Sequence, residues 1–163
     1  MLKSKRNYSF KKAGNKIQDV IAEMLTDMAR YQNESIQRGI DTQTDINGKK
    51  YTKLSTISTL PIRNRRGHGF TPLDTMKGAR QKKLRNTKVV RANRGSLVSQ
   101  VLMLEKHGVY HNEGVPKSGG MIEDKEIPKR EWFGITKEMK RGGSQYEKFL
   151  KMAFHKIKTA FNK

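Results

Sequence analysis

Four histidines and a few glycine-lysine strings are the residues of this chain that invite a catalytic reading. His107 and His111 stand four apart, a spacing that sets two imidazoles on one helical face, and Glu113 follows closely. A zincin needs its glutamate directly after the first histidine, and Gly108 holds that place. His68 and His155 lie far from the pair, and the chain has no cysteine to complete a ligand set. The histidines therefore read as loop or hydrogen-bonding residues, and no metal is expected. Gly48-Lys49-Lys50, Gly119-Gly120 and Gly142-Gly143 lack Walker spacing and read as turns and linkers. No serine sits in a nucleophile elbow, and acids are too scarce for a catalytic carboxylate pair. The expectation is a non-enzyme without a cofactor, and a small hydrolase is the remotest alternative.

Charge is the stronger signal. The formal net charge is +20, which asks for an anionic partner such as nucleic acid, and it is regional. Residues 1–16 hold six bases and no acid, while residues 61–95 hold eleven bases against Asp74 alone. Arg63, Arg65, Arg66, Lys82, Lys83 and Arg85 are the candidates for contact with DNA or an acidic partner. No zinc finger, aromatic RNA-binding signature or helix-turn-helix accompanies them, so any DNA contact is expected at the backbone, without sequence reading.

With 163 residues and 34% apolar composition, the chain suits one domain with a modest core and segments outside it. The absence of cysteine rules out a disulfide framework and fits a reducing cytosol as the place of synthesis. No apolar run is long enough to span a membrane, and no h-region follows the basic N-terminus.

The elements that must position these residues can be read from periodicity. Ile17, Val20, Ile21, Met24, Leu25 and Met28 predict a helix with Asn15 as cap, Asp19 in its first turns and Gly39 as its stop. Residues 41–70 read as a long loop with a turn at Asn47-Gly48, and Thr71-Pro72-Leu73-Asp74 starts a short helix ending near Leu84. A hairpin is expected around Asn93-Arg94-Gly95-Ser96, its second arm covered on both faces along Val101–Leu104. A capping box, Ser144 to Glu147, opens a last helix. Its apolar stripe is Tyr146, Phe149, Leu150, Ala153, Phe154, Ile157 and Phe161, with Lys148, Lys151, His155 and Lys158 outward. The layout is α+β: long N- and C-terminal amphipathic helices packed on a small antiparallel sheet, with long loops or arms. Residues 1–16 form a basic N-terminal arm, residues 17–163 the single domain, and residues 115–126 a flexible loop.

Two segments carry a resemblance. Tyr110, His111, Glu113 and Gly114, then a Gly-rich gap, then Ile127-Pro128-x-Arg130-x-x-Phe133-Gly134, resemble the "YA-x-x-H-x-x-G … I-P-x-R-P-F-L-G" ending of Mu-like phage virion morphogenesis proteins, also called tail completion proteins. Upstream, Asn47-Gly48-Lys49-Lys50-Tyr51-Thr52-Lys53-Leu54 is similar to that family's "D-G-x-x-W-x-x-L", and Leu73-Asp74-Thr75-Met76 lies where the family has "L-x-x-T-G-x-L". Tyr51 stands in place of tryptophan, Met76 in place of glycine, and Glu131-Trp132 in place of proline-leucine.

The resemblance implies a structural virion protein at the head-tail junction or the tail end, made in the host cytoplasm. It further implies a homo-oligomeric ring, by resemblance a hexamer, beside connector, neck or tail tube proteins. Tyr110, His111, Gly114, Pro128, Arg130, Trp132, Phe133 and Gly134 then form an assembly or packing motif. Trp132 and Phe133 are expected to be buried against the last helix or a neighbouring subunit. Pro128 is expected to fix a bend and Gly134 to permit close packing. The alternative from another class is a cytosolic nucleic-acid-binding protein without sequence specificity.

Overall fold

The computed structural model describes residues 2–51, 85–104, 109, 112–114 and 129–161, with side chains from Phe10 onward. Helix α1 (Leu2–Thr42) leads to strands β1 (Thr87–Val90) and β2 (Gln100–Met103). A 3-10 turn (Lys137–Met139) then precedes helix α2 (Ser144–Phe161). The two strands pair in one small antiparallel sheet, and with the two long helices the class is α+β, as the sequence predicts. Residues 52–70, the helix expected from Thr71 to Leu84 and the loop at 115–126 lie outside the described residues.

Helix α1 is longer than its apolar stripe suggests. The expected arm is helical from Leu2, because no proline interrupts residues 2–42 and Gly14 is tolerated within the run. Asn15 and Asp19 are consequently mid-helix and cap nothing. The stop is not Gly39 but a Schellman turn three residues on. Gln43 takes the left-handed conformation at φ 57°, and the Thr44 N–H returns to the Gly39 carbonyl at 2.9 Å. Gln43 also donates its side-chain amide to the Ile40 carbonyl, so two of the last turn's free acceptors are met.

The chain divides into two compact units. The first comprises Met1–Gln32, Val89–Val101 and Lys137–Lys163; the second comprises Asn33–Lys88 and Leu102–Thr136. In the first unit, Asn93 closes the hairpin turn with paired backbone bonds to Ser96, and its Oδ1 accepts the N–H groups of Gly95 and Ser96 at 2.9 Å. Buried Thr26 joins this hairpin to α1. Its Oγ1 donates to the Ala22 carbonyl at 2.8 Å and accepts the Ala92 N–H at 3.1 Å.

Thr26→Val keeps the shape but leaves that amide unmet, so a loss of about 1–3 kcal/mol in unfolding free energy is expected. Urea denaturation followed by circular dichroism measures it, and an unchanged midpoint would refute the joint. Arg94 adds an exposed two-point ion pair to Asp19. The hydrogen bond from Arg94 holds the Asp19 carboxyl below the ordinary carboxylate range.

Helix α2 packs in the same unit through the Phe149 ring, edge-on to Tyr31 at 6.1 Å, and through the buried Ala153. The Tyr31 hydroxyl donates to Glu138 at 3.0 Å, and Lys156 pairs with Glu23 at 2.6 Å. Two expectations change here. Phe154 and Phe161 are exposed and outside the packed stripe, which runs through Phe149, Leu150, Ala153 and Ile157. The helix begins at a glycine as well: the Gly143 carbonyl accepts the Glu147 N–H at 3.0 Å, which makes Gly143 the cap and Ser144 the first helical residue.

The apolar run Val101–Leu104 is not covered on both faces. Its residues alternate, with Val101 and Met103 half-buried and Leu102 and Leu104 exposed, the pattern of a strand with one free face. Among the described residues, no helix is long and apolar enough to cross a membrane.

Candidate assembly site

The second unit brings together segments that lie about 80 residues apart in sequence. After α1 ends, Asp45 organises a tight hairpin. Its N–H reaches the Lys49 carbonyl at 2.8 Å, and its Oδ1 accepts the Asn47 and Lys49 N–H groups at 2.8 Å each. Gly48 completes the turn at φ 84°, so the Asn47-Gly48 signal is borne out as a turn. Thr44 bridges to Lys50, and the Tyr51 N–H returns to the Gln43 carbonyl at 3.0 Å.

This hairpin meets the segment that holds the lone tryptophan. The Ile46 N–H donates to the Glu131 carbonyl at 2.8 Å. A Cβ on Gly134 would lie 3.1 Å from Ile46 Cδ1, a tight approach that a larger residue would meet by displacing the Ile46 side chain a few tenths of an ångström. Trp132 is 1% exposed and Arg130 5% exposed. The Trp132 indole packs edge-on to the Phe133 ring at 5.5 Å, near the T-shaped geometry that aromatic quadrupoles favour. Phe133 is only half-buried, and its N–H donates to Asn112 Oδ1 at 3.0 Å. Gly114, two residues beyond Asn112, has φ 77°, a conformation that selects glycine.

The polar face of α1 anchors the start of β1 in this unit. Thr87 donates its hydroxyl to Asn33, and Gln37 donates to Thr87 Oγ1 at 3.0 Å and to the Arg85 carbonyl at 3.2 Å. Arg85 pairs with Asp41, so its charge is compensated inside the unit and is not presented alone to a partner.

Of the motif residues expected from sequence, Arg130, Trp132, Phe133 and Gly134 share one segment with the Ile46 hairpin against it, and Gly114 lies near Asn112. Tyr110, His111 and Pro128 fall outside the described residues, as do Arg63, Arg65, Arg66, Lys82 and Lys83. Asp45, Ile46 and Asn112 were not marked by the sequence. Asp45 carries a readable signal, an aspartate two residues before Asn-Gly, whereas the Ile46 and Asn112 contacts depend on long-range closure.

Tyr51 gives the site a pH response. Its hydroxyl is buried without a hydrogen-bond partner among the described residues. Burial pushes its pKa up from the ordinary 10.0; the Asp45 carboxylate pushes the same way and Arg130 opposes both. The folded chain therefore holds the phenol protonated. This contribution to stability is fully present below pH 10.0 and is lost as the pH rises toward the higher folded value. Tyr51→Phe is expected to stay within about 1 kcal/mol of the parent at neutral pH, because the hydroxyl it removes makes no bond among the described residues. It should also flatten the alkaline fall in the unfolding midpoint. Equal alkaline slopes in the two proteins would contradict the burial of this group.

Among the described residues, no group of three or more histidine, cysteine or carboxylate side chains is placed to hold a metal. The features present are backbone closure, a buried indole and a glycine at close approach. No family model matches the chain, and neither does any curated protein or solved structure.

Proposed function

We propose that the chain is a structural virion protein of a tailed phage, acting in head-tail joining or tail completion as a ring-forming component. The observation that carries this reading is the closure of the Ile46 hairpin on the Arg130–Gly134 segment. The first segment runs directly into the Asn47–Leu54 string and the second holds Arg130, Phe133 and Gly134 of the strings that resemble the tail completion proteins; they meet through the Ile46–Glu131 hydrogen bond and the close Ile46–Gly134 approach. A shared motif whose parts meet as a packing joint fits a structural subunit better than an enzyme.

In the first unit, the exposed apolar residues Leu97 and Val98 beside the hairpin turn supply surface of the kind subunit contacts use. Within this reading the location is the virion, and the neighbours are connector, neck or tail tube proteins. Electron microscopy of the purified protein, across a concentration series, tests it: closed rings of one size are expected. A chain that stays monomeric at every concentration, alone and with particles lacking it, would overturn the proposal.

The alternative, a nucleic-acid binder acting by charge alone, draws on the whole net charge of +20. Of its six named candidates only Arg85 is described, and Asp41 holds it.

A further inference from the structure

The outer face of α2 carries more positive charge than its neighbours answer, Glu147 being the one acid on that helix. The first unit holds 17 lysines and arginines against 5 aspartates and glutamates. Most of those acids are occupied. Asp19 is held by Arg94, Glu23 by Lys156 and Asp27 by Arg30, while Glu138 accepts the Tyr31 hydroxyl. Lys148, Lys151 and Lys158 are exposed and make no ion pair among the described residues.

Aromatic rings stand among these lysines. Phe154 is 67% exposed and Phe161 47% exposed, a cost in water that the packing of α2 does not explain. Lys151, Phe154, Lys158 and Phe161 follow at intervals of three, four and three, so they share one helical face in alternation. The successive rises are about 4.5 and about 6 Å. Lys148 and His155 widen the same face.

We infer that this face binds single-stranded nucleic acid, with the lysines on backbone phosphates and the two phenylalanines as platforms for unstacked bases. Cations and rings share one exposed helix face, with Lys148, Lys151 and Lys158 rising by about 4.5 and about 10.5 Å, and this suits a polymer that offers phosphates in succession, which an ordinary acidic protein surface does not. The rings decide between strands. A duplex keeps the faces of its bases inside the stack and would leave Phe154 and Phe161 in water, whereas a single strand offers phosphates and base faces together. The inference is independent of the assembly reading, and failure of ring formation would leave it standing.

Fluorescence anisotropy on the full chain tests it, with labelled oligo(dT) of about 20 nucleotides and a duplex of equal length across a salt series. Oligo(dT) is expected to bind more tightly than the duplex. K148Q/K151Q/K158Q should make the slope of log K against log salt shallower by about 2, from a contribution of about 0.7 per phosphate contact. F154A/F161A should weaken binding about tenfold or more at an unchanged slope, because stacking releases no counterions. Phe154→Leu, which keeps an exposed apolar side chain but no ring, should weaken binding in the same way.

Circular dichroism should show every variant folded, since all substituted side chains are exposed. Three results would each overturn the inference: duplex bound as tightly as oligo(dT), no effect of the phenylalanine variants, or an equal loss of slope in K11Q/K12Q/K16Q on α1. The first would point to a duplex-binding face, and the other two to charge acting without a site.

Discussion

Trp132→Ala is expected to lower the unfolding free energy by about 3–5 kcal/mol, the range for removing a large buried aromatic side chain. Trp132 is 1% exposed and, with Ile36, one of the two largest fully buried side chains among the described residues. A domain of this kind holds about 5–15 kcal/mol in total, so the variant should populate unfolded chains under mild conditions. Two things fail together. Removing a side chain this fully buried loses the transfer free energy of the indole and leaves a cavity in its place. The edge-on partner of Phe133 also disappears, at an added cost of about 0.5–1.5 kcal/mol when such a pair is broken.

Phe133→Ala should be milder, because Phe133 is already half-exposed. Urea denaturation followed by circular dichroism measures both, as Trp132 is the only tryptophan and its fluorescence is lost in the variant. A loss below about 1 kcal/mol for Trp132→Ala would contradict its place at the centre of this site.

Gly143→Ala should be the most damaging replacement among the described glycines. A Cβ there would lie 2.4 Å from the Glu138 carbonyl oxygen and 2.5 Å from that of Lys137, both of them backbone atoms that cannot swing aside. The 3-10 turn that carries buried Met139 would have to move away from the start of α2. It would take with it Glu138, the acceptor of the Tyr31 hydroxyl. A loss of about 3 kcal/mol, the upper end for forced overpacking, is expected.

Gly142 is the control. It has φ 81° but open space around its would-be Cβ, so Gly142→Ala should cost only the left-handed backbone penalty, about 1–2 kcal/mol. Thermal unfolding midpoints should therefore fall further for Gly143→Ala than for Gly142→Ala. The reverse order would show that conformation, and not contact, fixes this glycine pair.

Much of this architecture is legible in the residues, and the failures share a physical cause. Both long helices, the Asn93–Ser96 turn and the Asn47-Gly48 turn follow from local spacing and turn chemistry, because each is decided within a few residues. The true start of α1 was hidden because the first residues of the chain lack an apolar stripe yet contain nothing that stops a helix. Apolar periodicity also misplaced Phe154, Phe161, Leu102 and Leu104, whose exposure depends on which neighbours exist and not on spacing.

The joints that matter most in the structure are polar, and hydrophobic patterning cannot mark them. Thr26 reaches Ala92, and Asn33 and Gln37 together hold Thr87. In the candidate site, the burial of Trp132 and the close approach at Gly134 follow from residue type in context. The Ile46–Glu131 contact that closes the site joins distant segments and emerges only once the chain is folded.

Cryo-electron microscopy of mature phage particles tests assembly of the chain into the virion. A ring of density at the head-tail junction or the tail end that accommodates this α+β chain, with the Arg130–Gly134 segment in its packed position, is the predicted result. Mature particles that are complete at both places and contain no copy of the chain would contradict the account.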